Sequence, residues 1–492
     1  MNTFVQSLTT MNHIAAYDPS MTTTDNGAKT YASSLNHNVD LFQRIGSARG
    51  QNLNHQFDLA FAENPDLAIR MLLWVRDIRG GAGERQTFRT LLQYLETQEK
   101  YHQILLHVIA KTPEVGRFDD LLIFKTPEFK KVAYTLYAAA LLDGNALAAK
   151  WAHREKSNRQ EDRQIAKELM EFMKLTPKQY RKMLVNGTNV VESHMCSKQW
   201  DNINFQAVPS VATRRYSKAF SKNAGDAYMA YMKQVLEGKA KINASSIFPY
   251  DVTSVATQIS TPIQIMVAEA QWNALPNYMN GKRVLPIIDT SSSMTSVVPG
   301  TKFSHMHMAI TLGMYVAEKN EGAFKNVFLT FNSVPRMKTI PNGTLVSRYQ
   351  AIKGAEWGGS TNFQASFDLI LDHAIKNKVP QDEMPEIVVC QSDMMFNQAG
   401  NLTNYQLIRN KFEDSGYTMP KLVFWQMNGS NTSSPVRSTQ QGVSLISGFS
   451  PAIMKAVLGD SEIEETAKTE VLKDTPEDTM KKALLVERYD WN

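Results

Sequence analysis

Cysteine is almost missing from this chain of 492 residues: Cys196 and Cys390 are the only two. Two cannot build a disulfide framework or a thiolate zinc site, and such sparing use suits a reducing, cytoplasmic setting. Long apolar runs are missing as well. The strongest, "YTLYAAALLDGNALAA" at 134–149, is broken by Asp143, Gly144 and Asn145 and falls short of the roughly 20 residues a membrane span needs. No membrane partner is expected. The N-terminus lacks a basic stretch followed by an apolar core, so a secretory signal is not expected either.

What is present is ordinary in bulk and uneven in detail. Apolar residues at 43% and charged residues at 21% are globular proportions, and the length exceeds what one hydrophobic core supports, which predicts at least two domains. The net charge of +5 is unevenly placed. Residues 1–150 hold 15 basic and 15 acidic side chains, residues 151–250 hold 17 against 9, and residues 251–492 hold 21 against 24. All the positive excess lies within one stretch of a hundred residues, and this bears on partners.

Up to about residue 270 the texture is helical. In "NPDLAIRMLLWVRDIRG" the apolar positions Leu67, Met71, Leu72 and Val75 form a helical stripe, and Asn64 before Pro65 is an N-cap and first-turn pair. "GERQTFRTLLQYLET" and "PKQYRKMLVNG" read the same way. Short stripes separated by Gly, Pro or Asn predict paired antiparallel helices stacked as a HEAT-like solenoid. From about residue 280 short β-rich runs, "RVLPIID", "NVFLTF", "EIVVCQSD" and "KLVFWQM", alternate with helical stretches. That alternation predicts an α/β doubly wound, parallel sheet with helices on both faces. The expected division is a helical domain over 1–275, an α/β domain over 280–458, and an acidic tail over 459–492 whose "ALLVERYDWN" end docks back on the body.

"LPIIDTSSSM" (285–294) ends an apolar strand in an acid and alternate hydroxyls. In open α/β sheets ligands bind beyond the carboxyl ends of the strands, which is where Asp289 falls. Asp289, Ser291 and Ser293 form a hard-oxygen set suited to Mg²⁺ or Mn²⁺; a Ser-rich turn without metal is the plainer alternative. Two further strand-end features accompany it: Thr361 in the Gly-rich "EWGGSTNF" and Asp393 at the end of "EIVVCQSD". No His or Glu adjoins the triplet to act as a general base, and no second carboxylate cluster accompanies it. Metal-assisted hydrolysis is therefore not expected: no enzyme and no catalytic residue, but a cation able to capture an external carboxylate or phosphate oxygen.

The residues that recommend nucleic acid are Lys178, Arg181 and Lys182 of "PKQYRK", Lys198, and Arg214, Arg215, Lys218 and Lys222 of "TRRYSKAFSK". Arg214, Lys218 and Lys222 are spaced i, i+4, i+8, so one helix face would present three cations, with Tyr216 and Phe220 interleaved for stacking or for the core. Such a surface gives salt-sensitive, sequence-tolerant phosphate binding; a solvated basic face is the bland alternative. "RDIRGGAGER" lacks the Lys-Ser/Thr of a nucleotide P-loop and reads as a tight interhelical turn, with Arg79 or Arg85 paired to Asp77 or Glu84. "GRFDDLL" reads as an ion-pair element. His305 and His307 of "SHMHM", two apart on a helix, point differently and do not suggest a metal pair.

Asp-x-Ser-x-Ser followed by Thr and Asp at the mouth of one sheet resembles the metal-ion-dependent adhesion site of von Willebrand factor A domains. That resemblance implies direct metal contact by Asp289, Ser291 and Ser293, with Thr361 and Asp393 acting directly or through water. "TTTDNGAKTYASSLNHNVDLF", "WVRDIRGGAGERQTFR", "VGRFDDLL", "LAAKWAHREKS" and "MCSKQWDNINFQAVPSVATRRYSKAF" are similar to Ro-autoantigen-like proteins of the divergent viral and plant branch. In these a ring of helical repeats, the TROVE domain, precedes a von Willebrand A domain. The likeness spans about residues 20–460. It implies a ribonucleoprotein scaffold that holds small non-coding RNA or the 3′ ends of misfolded RNA, with a partner protein offering an acidic side chain to the metal and an exonuclease often alongside. The competing expectation is a protein–protein assembly module, a viral structural component for example, acting through the metal site alone.

Overall fold

The computed structural model describes residues 20–188, 190–331, 334–355, 362–397, 403–459 and 473–491. Residues 37–273 are a succession of helices, and residues 284–458 alternate strand and helix. The order expected from the sequence, a helical half and then an α/β half, is the order found.

Local chemistry sets the helix starts. Asn64 caps the helix Pro65–Arg76, its side chain accepting from the Leu67 amide at 3.1 Å, with Pro65 in the first turn. Asn145 ends the apolar run of Pro127–Leu142 and caps the short helix Ala146–Trp151 by accepting from Leu147 and Ala148. Thr176 and Gln179 form a reciprocal capping box at the start of Pro177–Gly187.

The strands are β1 (Met21–Thr23), β2 (Lys29–Tyr31), β3 (Val284–Asp289), β4 (Val327–Phe331), β5 (Met337–Thr339), β6 (Ile387–Ser392), β7 (Lys421–Gln426) and β8 (Val443–Ser447). The first two form a separate hairpin, and the others make one sheet in the order β5-β4-β3-β6-β7-β8. All its pairings are parallel except β4 with β5. β3, β6, β7 and β8 are buried at every residue, as strands covered on both faces must be. The strand order reverses direction at β3, so the mouth beside β3 and β6 is the topological switch point. The hairpin and the antiparallel edge strand β5 are additions to the expected architecture.

One apolar core runs through both halves, and a second lies under residues 191–270, built around Phe220, Tyr228 and Met232. The halves are joined by specific polar contacts. Arg44 donates twice to the Gly429 carbonyl, at 3.0 and 2.8 Å. The Gly46 amide donates to Ser447 Oγ on β8, and a Cβ at Gly46 would lie 2.2 Å from the Ser447 carbonyl oxygen. Near the C-terminus, the helix Pro476–Leu484 leads into residues that tie to the helical half. Arg488 pairs with buried Asp77, the Tyr489 hydroxyl donates to the same carboxylate, and Trp491 Nε1 donates to Asp66.

Candidate metal centre and basic surface

β3 delivers Asp289 to the mouth of the sheet with its side chain fully buried. The chain then turns so that the Ser291 amide donates to Asp289 Oδ1 at 2.9 Å, while the Ser291 and Ser293 hydroxyls lie 3.0 Å apart. Neighbouring β6 ends one residue before Asp393, itself 2% exposed. Met394 follows with a left-handed φ of 64°, an uncommon conformation for a non-glycine residue that costs about 1–3 kcal/mol. Asp289, Ser291, Ser293 and Asp393 are thus brought to one place. Thr361 lies outside the described residues.

Sequence reasoning passed over Ser392. Its hydroxyl donates to Asp289 Oδ2 at 2.5 Å and accepts from the Met394 amide at 3.1 Å, joining the ends of β3 and β6. It was visible in "EIVVCQSD", directly before Asp393, and only its position opposite Asp289 was not. His305 is a neighbour of Asp393 that spacing along the chain did not signal. It starts the helix His305–Lys319, lies close enough to feel the Asp393 charge, and its Nδ1 is 3.0 Å from both the Ser296 hydroxyl and carbonyl. Burial holds its pKa below the ordinary imidazole value.

The electrostatics bear on whether a cation fits. Burial, and after it the charge of Asp393, push the Asp289 carboxyl up to about 6. Neither carboxylate has a basic ion-pair partner among the described residues. Two buried acids that feel each other's charge repel, and a divalent ion between them would supply the compensating charge. A carboxylate offers about four lone-pair directions, so the hydrogen bonds from Ser291 and Ser392 to Asp289 leave room for a metal. Among the described residues no group of three or more His, Cys, Asp or Glu side chains could hold a metal. The donors brought together are two carboxylates and the Ser291 and Ser293 hydroxyls, hard oxygens of low total charge of the kind that Mg²⁺ or Mn²⁺ would take with added water.

The helical half sorts the predicted cations into free and tethered. Lys178, Lys182, Lys198, Arg215, Lys218 and Lys222 are exposed, and none has a carboxylate partner among the described residues. Two expectations are corrected. Arg214 turns inward: it donates to the Asp251 carbonyl, to Ser254 Oγ at 2.6 Å and to the Asp251 carboxylate at 3.3 Å. The three-cation face of Ser210–Asn223 is therefore reduced to Lys218 and Lys222. Arg181 pairs with Glu155. Of the interleaved aromatics, Phe220 is fully buried and Tyr216 is half-buried with its hydroxyl 3.2 Å from Glu192.

The "RGGAGER" turn is structural, but its pairing differs from expectation. Asp77 accepts from the amides of Arg79 and Gly80 and pairs with Arg488, while Glu84 pairs with Arg49. A Cβ at Gly81 would lie 1.9 Å from the Trp74 carbonyl oxygen, which is why glycine is needed there. In "GRFDDLL", buried Asp120 takes Arg76 at 2.8 Å and Arg89 at 2.6 Å, and Asp119 pairs with Arg117. His307 is buried, its Nδ1 2.7 Å from the Tyr349 hydroxyl and its Nε2 3.0 Å from the Tyr250 carbonyl; burial pushes its pKa down to about 4. No helix among the described residues is long and apolar enough to cross a membrane.

Two family models match side by side, and both are described as domains of unknown function. DUF2828 covers residues 24–102 and 135–283, and DUF7788 covers residues 283–487. Their junction falls where the helical half gives way to β3. "Uncharacterized protein L728" of Acanthamoeba polyphaga mimivirus is 29% identical over 495 residues, spanning 89% of this chain and 85% of that protein. The crystal structure of the Ro (RSR) protein of Deinococcus radiodurans aligns over 92% of this chain and 99% of its own, at 13% identity and a TM-score of 0.47. The chain is thus similar across both halves to a viral protein, and its helical half followed by a parallel sheet is the arrangement implied by the Ro-like motifs.

Proposed function

We propose that this protein is a non-enzymatic RNA-binding scaffold of the Ro-like kind, whose helical half holds structured non-coding RNA or RNA ends and whose α/β half captures a partner through Mg²⁺. The observation that carries the RNA reading is the set of six exposed cations with no carboxylate partner among the described residues, Lys178, Lys182, Lys198, Arg215, Lys218 and Lys222. They lie within the one stretch of the chain that holds all its positive excess. Many other cations are bound internally, such as Arg76 and Arg89 to Asp120. Free cations along a folded surface attract phosphates without reading sequence.

Asp289, Ser291, Ser293 and Asp393 would hold the metal, with Thr361 as a further ligand. The ion would supply a Lewis-acidic position for an oxygen from outside, such as an acidic side chain of a partner protein. Few charges surround it, which favours capture over the activation of water. An exonuclease is one such partner. The cysteine usage suits a cytoplasmic setting.

The test is charge reversal. Replacing Lys178, Lys182 and Lys218 together by Glu should weaken RNA binding by at least tenfold in a filter assay while leaving the melting temperature unchanged. Unaltered affinity would refute the RNA reading. The second reading, an assembly module acting through the metal, is favoured by the convergence of Asp289 and Asp393. It predicts that Asp289→Ala abolishes capture of a stoichiometric protein partner, and that the purified protein carries no nucleic acid.

A further inference from the structure

Several stretches singled out in the sequence have no role at the metal centre, and one of them, which carries Arg215, also belongs to the basic surface; they meet in space. "LAAKWAHREKS" supplies Lys150, Trp151 and Arg154, "VGRFDDLL" supplies Arg117, and "VATRRYSKAF" supplies Arg215. All line one open cleft of about 920 Å³. That volume lies within the roughly 300–1,000 Å³ of small-ligand sites.

The cleft is unevenly charged. Arg117 is held by Asp119 and lays its guanidinium 3.8 Å from the centre of the Trp151 ring. Lys150 faces Glu192, the one acid in the lining, at 3.5 Å. The Arg154 side chain donates to the Ala149 carbonyl at 3.2 Å, and neither Arg154 nor Arg215 has a carboxylate partner among the described residues. Two guanidiniums without counterions thus share a cleft with an indole and with the exposed apolar side chains Val185 and Val211. Guanidinium pairs recognise phosphate oxygens in fork geometry. Aromatic and apolar walls take the face of a base.

We propose that this cleft binds a nucleoside phosphate, with Arg154 and Arg215 on the phosphate and the base against the Trp151 side of the lining. The proposal deepens the RNA-binding reading, on which it rests when the nucleotide is the end of a strand. The same chemistry would also admit a free nucleotide.

Fluorescence anisotropy with an end-labelled single-stranded RNA octamer tests it on the full chain, in competition with adenosine monophosphate and with inorganic phosphate. Arg154→Ala and Arg215→Ala should each weaken octamer binding at least tenfold, with Lys376→Ala in the α/β half as the control. Circular dichroism verifies folding. Adenosine monophosphate should displace the octamer at concentrations at least tenfold below those at which phosphate does. Variants that bind the octamer and the nucleotide as well as the parent would overturn the cleft and leave the RNA reading standing. If the parent binds adenosine monophosphate but no RNA, and the variants lose that nucleotide, the cleft is upheld with a free nucleotide as its ligand and the RNA reading falls. A parent that binds neither overturns both.

Discussion

Replacing Asp289 by Asn should stabilise the protein in chelator and destabilise it, relative to the parent, in magnesium. The Asp289 carboxyl is fully buried and pushed up to about 6, first by burial and then by the Asp393 charge. In the unfolded chain it titrates near about 3.9. A folded pKa above the unfolded one means that ionisation opposes folding. Relative stability is greatest below about pH 4, where both states are protonated, and it is lost as pH rises from about 4 to about 6. A gap of about two units corresponds to roughly 3 kcal/mol at neutral pH. Asparagine removes that charge and keeps an oxygen for the Ser291 amide. It gives up the Ser392 hydroxyl bond, which is worth about 1 kcal/mol. The net gain is about 2 kcal/mol, a rise of roughly 4–8 °C if the α/β half melts as one unit. In magnesium at a hundred times Kd the parent gains about 2.7 kcal/mol and the variant gains nothing, so the order of melting reverses. Scanning calorimetry with EDTA and then with Mg²⁺ reads both halves of the argument. A variant that melts below the parent in EDTA refutes the buried repulsion; a parent indifferent to both Mg²⁺ and Mn²⁺ refutes the metal site.

Asp120→Ala should cost about 3–5 kcal/mol in urea unfolding, because it strands buried Arg76 and leaves Arg89 with Asp119 alone. Arg488→Ala removes a charge-assisted pair with buried Asp77 and should cost about 1.5–3 kcal/mol, with earlier cleavage of the last residues in limited proteolysis. Gly46→Ala drives a methyl against the Ser447 carbonyl and should cost about 1–3 kcal/mol, with hydrogen exchange rising first along β8.

Periodicity made the two-part architecture legible. A helical stripe is visible in Leu67, Met71, Leu72 and Val75, and continuous apolar runs such as "EIVVC" could only be strands covered on both faces. The grouping of Asp289, Ser291, Ser293 and Asp393 was legible because these residues sit at strand ends, where a sheet edge fixes their position in space. β5 was not, since Met337–Thr339 is too short to show a pattern. The N-terminal hairpin was signalled by Asn26-Gly27, a hairpin-turn pair, with Gly27 at a φ of 81°. Arg214 illustrates the limit. Its helix and spacing were read correctly, but its partner Asp251 lies 37 residues away, and the periodicity of one helix says nothing about what another offers to it. The same limit hid the cleft, whose Arg117, Arg154 and Arg215 come from three separate stretches.

The salt dependence of RNA binding addresses the central claim most directly. Six free cations, of which about three to six would contact phosphate, predict that the logarithm of the binding constant for single-stranded RNA falls linearly with the logarithm of salt concentration, with a slope of roughly −2 to −4. An affinity that stays flat between about 50 and 200 mM salt would contradict nucleic-acid binding by this surface.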